Sequence, residues 1–91
     1  MRVAFSTLLA EGRPFLGTFI QSAAPEFVEA AGYAGFRFAA VDLEHTYYGP
    51  EKTAEMVRAG EAADLCVLAR VPALDAVWTK KCLDMGASGV I

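Results

Sequence analysis

Apolar, strand-like runs begin near residues 15, 36, 65 and 87, and a segment of helical periodicity separates each from the next. This strict alternation constrains the fold more than any other feature of the chain. Phe15 to Ile20, Phe36 to Leu43 and Leu65 to Val71 are short and nearly continuous in apolar residues, as strands covered on both faces are. Gly17 weakens the first of them but lets another group approach its backbone closely. The first intervening helix starts near Pro25, with Glu26 in its first turn and Ser22 as its expected cap, and carries Phe27, Val28, Ala30 and Ala31 before Gly32. The second is opened by Pro50 and Glu51 and runs to about Ala63. The third follows Pro72 and Ala73, sets Leu74, Val77, Trp78, Cys82 and Met85 on one face, and closes at Gly86. Such an order implies right-handed crossovers and a parallel sheet, hence an α/β fold.

A helix over residues 1–11, built on Met1, Ala4, Phe5, Leu8 and Leu9 and ended by Gly12 and Pro14, precedes the alternation and is expected to cover one end of it. Residues 87–91 begin a fourth strand that no helix follows. A complete (β/α) barrel takes about 250 residues, so the expectation is a single incomplete domain over 1–91, the amino-terminal part of a barrel. A small free-standing α/β layer is the alternative. The mean hydropathy of +0.35 favours the barrel fragment, because a short domain buries a smaller share of its surface and needs fewer apolar residues.

A net charge of −3, with Lys80-Lys81 the only adjacent basic pair, argues against nucleic acid or an anionic membrane surface as partner. No run approaches the length of a membrane-spanning helix, and residues 1–10 lack a signal-peptide pattern. Cys66 and Cys82 sit among apolar residues without metal-binding spacing and read as buried thiols of a reducing compartment. The expected location is the cytoplasm.

The chemistry-bearing residues gather after the second strand, where Asp42, Glu44, His45 and Thr46 follow the apolar run Phe38 to Val41. In parallel α/β folds the carboxyl ends of the strands hold ligands and catalytic groups. Phe38, Ala40 and Asp42 share one side of that strand, Ala39, Val41 and Leu43 the other, and Arg70 follows Cys66 and Leu68 on one side of the next strand. Arg70 and the cluster at 42–45 therefore belong to the same ends of adjacent strands. Two readings are open. Arg70 can bind a ligand carboxylate through paired hydrogen bonds while a neutral His45 accepts a proton, or Arg70 can form a structural salt bridge to Asp42 or Glu44.

Val41-Asp-Leu-Glu-His45, Ala69-Arg-Val-Pro72 and Leu83-Asp-Met-Gly-Ala-Ser-Gly-Val-Ile91 resemble the metal-dependent 2-oxo-acid aldolases of the 4-hydroxy-2-oxoheptanedioate aldolase type, and Leu16-Gly-Thr-Phe19 and Ala31-Gly-Tyr-Ala-Gly-Phe36 resemble that family's opening segments. The resemblance implies a TIM barrel of the phosphoenolpyruvate/pyruvate-binding superfamily. It implies a lyase that uses Mg²⁺, Mn²⁺ or Co²⁺ to cleave a 4-hydroxy-2-oxo acid reversibly into pyruvate and an aldehyde. By the same resemblance His45 is the proton acceptor, Arg70 binds substrate and stabilises the enolate, and Asp84 raises the basicity of the His; Asp42 and Glu44, placed beside them at the strand end, are expected in support. Asp84 lies late in a helix, away from His45 in its own chain, so its implied role requires the His of a neighbouring subunit and a homo-oligomer. The family's metal ligands fall beyond residue 91, so no metal ligand is expected in this chain. Asp42, Glu44 and His45 follow one another on a strand end and do not obviously converge on one ion. Lys80 and Lys81 lie on a helix and read as solvated charges rather than Schiff-base lysines. The alternative function is a catalytically inactive fragment or association module of the same fold.

Overall fold

The computed structural model describes residues 4–46 and 49–91. In chain order the elements are α1 (Phe5–Ala10), β1 (Gly17–Ile20), α2 (Pro25–Tyr33), β2 (Phe38–Asp42), α3 (Pro50–Ala62), β3 (Cys66–Arg70), α4 (Ala76–Asp84) and β4 (Gly89–Val90). The strands form one parallel sheet in the order β1-β2-β3-β4, with Phe19 opposite Ala40 and Asp42 opposite Arg70. Neighbours in sequence are neighbours in space throughout, as successive βα units require. The first turn of the predicted amino-terminal helix, with Met1, lies outside the described residues.

The two faces of the sheet differ as the alternation of β2 and β3 predicts. Ile20, Ala39, Val41, Leu43, Val67 and Ala69 face the helices and form one core with Val28 and Ala31 of α2, Met56 and Val57 of α3 and Cys82 of α4. The opposite face carries Phe38, Ala40 and Asp42 beside Cys66, Leu68 and Arg70. Its amino end is closed by a cluster of aromatic rings. Phe5 of α1, Phe15 and Phe38 meet edge to face, with ring centroids 5.3–6.0 Å apart. The helix expected to cover an end of the fold does so through Phe5 and the fully buried Leu8.

Gly17 makes this closure possible. A Cβ at position 17 would stand 2.2 Å from the Phe38 ring, so the ring lies across bare backbone. Gly17→Ala is expected to cost about 1–3 kcal/mol, the usual penalty for overpacking, read as a lower urea midpoint with an unchanged slope. An unaltered midpoint would show that Phe38 does not rest on the strand.

Three local expectations are corrected. Helix α4 begins at Ala76, not after Pro72 and Ala73, because Asp75 caps it by accepting a hydrogen bond from the Val77 amide at 2.8 Å. Leu74 therefore precedes the helix and is exposed, Val77 points outward, and the inward face keeps Trp78 and Cys82. Helix α2 is preceded by Ala24 with Pro25 in its first turn, and no side chain caps it; Ser22 stands too far upstream. Phe27 of the same helix is exposed, leaving Val28 and Ala31 as its buried residues.

Candidate active site

Strand β2 ends in a carboxylate that collects every donor within reach. Asp42 is fully buried at the carboxyl end of the sheet. Its Oδ1 accepts from the backbone amides of Glu44 at 3.0 Å and His45 at 3.1 Å, which folds residues 43–46 back over the strand end. The Thr46 hydroxyl donates to the Asp42 carbonyl and holds the same turn. Arg70, paired with Asp42 in the sheet register, donates from Nε to Oδ1 at 3.3 Å and from Nη2 to Oδ2 at 2.7 Å, a two-pronged contact between planar groups. His45 Nδ1 lies 3.0 Å from Oδ2, and Gln21 Nε2 donates to the same oxygen at 3.2 Å. Each carboxylate oxygen thus faces three nitrogen donors.

These contacts set the electrostatics. The Arg70 guanidinium holds the Asp42 carboxyl far below the usual carboxylate range against the opposing effect of burial, with the His45 amide and ring and the Gln21 amide adding to it. Asp42 in return raises the Arg70 pKa above its ordinary value. Both groups are charged at neutral pH. The guanidinium is fixed from a third direction, because its carbon lies 4.5 Å from the centre of the Phe19 ring.

Of the two readings open for Arg70, the salt bridge to Asp42 is formed, and Glu44 Oε1 lies a further 3.9 Å from Nε. It does not exclude the other reading. The bridge occupies the Nε and Nη2 edge, while the Nη1 edge has no hydrogen-bond partner among the described residues. With Glu44, Val71, Pro72 and Ile91, Arg70 lines an open concavity of about 510 Å³ at the carboxyl ends of the strands. His45 is more than half exposed, and its Nε2 stands 3.7 Å from Glu44 Oε1. Arg70 and His45 thus come together around a single oxygen of Asp42, with Glu44 beside them.

Asp84 is not part of this group. It ends α4, is exposed, and pairs with Lys80 at 2.7 Å along the outer side of the helix. A helix that returns between parallel strands ends near their amino ends, which places Asp84 at the other end of the sheet from Asp42. Lys80 is exposed as expected, though the pair with Asp84 ties it down.

Two further residues contribute: Phe19, which the sequence does not mark, and Gln21, which the sequence places only at the carboxyl end of the first strand. Phe19 pairs with Ala40 of β2 in the register, and Gln21 follows two residues later, just past the end of β1, where its side chain reaches Asp42. Counting by twos from Gly17 would have found both. As for a divalent cation, no three His, Cys, Asp or Glu side chains converge among the described residues. The Asp42 oxygens are spent on six donors, and a carboxylate so saturated has no lone pair to offer a metal. The residues present therefore do not fit a cation.

No protein-family model matches the chain. It is 36% identical over 76 residues to 2-dehydro-3,6-dideoxy-6-sulfogluconate aldolase of Pseudomonas putida, a match that takes in 84% of this chain and 30% of that protein. Over 88 residues it is 35% identical to 4-hydroxy-2-oxovalerate aldolase of Novosphingobium aromaticivorans, covering 92% of this chain and 32% of the relative. The crystal structure of an HpcH/HpaI aldolase from Desulfitobacterium hafniense superposes with a TM-score of 0.89 at 28% identity, over 96% of this chain and 34% of that one. The chain spans about a third of the length of the relatives it matches. The sheet with its alternating helices corresponds to the amino-terminal part of an aldolase TIM barrel, and over that part the chain is similar to aldolases of the HpcH/HpaI family.

Proposed function

We propose that this chain supplies the proton acceptor and the enolate-stabilising cation of an aldolase that cleaves 4-hydroxy-2-oxo acids into pyruvate and an aldehyde. The observation that carries the reading is the placement of His45 and Arg70 on one buried carboxylate, at the carboxyl ends of adjacent strands, in a chain similar to aldolases. His45 takes the proton of the C4 hydroxyl as the C3–C4 bond breaks. The bonding pair passes into the C2–C3 enolate, the aldehyde leaves, and protonation at C3 completes pyruvate. The Nη1 edge of Arg70, held in place by Asp42 and Phe19, faces the charge that develops on the substrate oxygens.

On this reading the divalent cation of the family is held by residues of the enzyme outside this chain, and the enzyme is a cytoplasmic homo-oligomer in which Asp84 reaches a neighbouring subunit. The test is pyruvate release from a 4-hydroxy-2-oxo acid. In the enzyme that carries this segment the release is expected to stop on chelation and to return with Mg²⁺, Mn²⁺ or Co²⁺. The 91-residue chain by itself is expected to release none. Chelator-resistant release by the enzyme, or release by the purified chain, would overturn the reading.

A further inference from the structure

We infer that Phe19 is a positioning residue of this site, whose ring sets the tilt of the Arg70 guanidinium and keeps the Nη1 edge turned to the open concavity and away from Glu44. The inference rests on the reading of Arg70 as the enolate-stabilising cation, and it names what aims that cation. Arg70 stands on β3 and Phe19 on β1, with β2 between them. The guanidinium therefore reaches over a whole strand to lie 4.5 Å from the centre of the ring. The register leaves the way clear, because the residue of β2 that pairs with Phe19 is Ala40, which brings only a methyl group.

The ring serves no other contact that would explain it. Phe19 is 49% exposed, stands apart from the cluster of Phe5, Phe15 and Phe38, and does not line the concavity in front of Arg70. Its one specific contact is with the guanidinium. The fork to Asp42 holds Nε and Nη2 but lets the planar group tilt about the line that joins them. A cation is drawn to the negative face of an aromatic ring, and that attraction removes the remaining freedom. The tilt matters because a second carboxylate competes for the same group. Glu44 Oε1 already lies 3.9 Å from Nε, and a guanidinium tilted onto it would present a neutralised edge to a ligand. Phe19 touches no reacting atom in this account and acts through Arg70.

Substitutions at position 19, made in the enzyme that carries this segment, test the inference. Phe19→Leu keeps an apolar side chain and removes the ring face, so pyruvate release should fall by a factor of about 3–30, with oxalate affinity falling in parallel. Phe19→Tyr and Phe19→Trp keep a ring face and should stay within about threefold of the natural enzyme. In an Arg70→Ala background Phe19→Leu should cause no further loss, because a residue that acts through Arg70 has nothing left to position. An equal loss in both backgrounds, or a leucine variant as active as the natural enzyme, would overturn the inference. The geometry has a readout of its own that needs neither substrate nor cation. A ring over the guanidinium shifts the Arg70 Nε–H resonance, which is assigned by its disappearance in Arg70→Lys. Phe19→Leu should abolish that shift and the larger ring of Phe19→Trp should increase it, so the measurement stands even if the leucine variant does not fold. A resonance insensitive to position 19 would overturn the inference. The outcomes separate from those of the proposed function. A ring-shifted Arg70 in a protein that releases no pyruvate sinks that function and keeps Phe19 as the residue that aims the guanidinium, whereas an insensitive resonance in an active aldolase does the reverse.

Discussion

Replacing Arg70 by Ala in the enzyme that carries this segment is expected to lower turnover by a factor of about 10²–10³, the usual loss when a fixed donor aimed at developing charge is removed. Oxalate, which mimics the pyruvate enolate, should lose affinity in parallel. Arg70→Lys keeps the charge but loses the planar fork that meets Asp42 at 2.7 and 3.3 Å, so it should recover only part of the loss. The bridge adds a requirement to the design. Because Arg70 also braces Asp42, the Ala variant should melt lower as well, and turnover and oxalate binding must be read well below its melting temperature. Near-normal turnover and oxalate affinity there, with only the melting temperature reduced, would make Arg70 a salt-bridge residue and nothing more.

Much of this strand end could be read from the chain because parallel strands announce themselves. Phe38 to Val41 and Cys66 to Ala69 are apolar on both sides, which fixes them as strands, and period-two counting then puts Asp42 and Arg70 on one face. Register turns that shared face into contact, and register is not written locally. The apolar runs place Asp42 and Arg70 near the same level, but only the pairing of Phe38 with Cys66 makes them direct neighbours. For the same reason the part of Phe19, and the contact of Gln21 with Asp42, are not legible in the sequence, since both depend on how β1 aligns with β2. The misjudged face of α4 has a different origin. Leu74 and Val77 fit a helical period with Trp78 and Cys82, yet the Asp75 cap starts the helix two residues after Leu74, and an apolar pattern cannot by itself say where a helix begins. Asp42 does more than its place in the sequence announces. A carboxylate after a strand is common as a turn former, and nothing in the sequence shows that the turn, the arginine and the histidine all use the same two oxygens.

That concentration of donors on one carboxylate makes Asp42 the residue through which acid should unfold the protein. Its pKa is held far below the ordinary value, chiefly by Arg70, while in the unfolded chain it returns to the usual carboxylate range near 3.9. A carboxyl group whose folded pKa is depressed contributes stability that is fully present above its unfolded pKa and disappears as pH falls towards the folded one. Stability from Asp42 is therefore expected to be constant from neutrality down to about pH 4 and to decline below it. Asp42→Asn isolates this contribution, because the amide does not titrate and fits the same space. Whichever way the amide lies, its NH₂ takes the place of an oxygen that accepts three hydrogen bonds, so donors face donors. Charged hydrogen bonds are each worth about 1.5–3 kcal/mol, and other donors can turn to water at this partly exposed strand end, so a net loss of about 2 kcal/mol at pH 7 is expected. For a chain of this size that is roughly 8–16 °C in melting temperature. The gap between the two proteins should narrow as pH falls below 4, because Asp42 then takes up a proton in the unfolded chain, which stabilises that state in the natural protein and not in the variant. Urea melts of both at pH 7, 4 and 3 measure it. Equal stability at pH 7, or a gap that does not narrow in acid, would show that the buried carboxylate is not what holds this end of the sheet together.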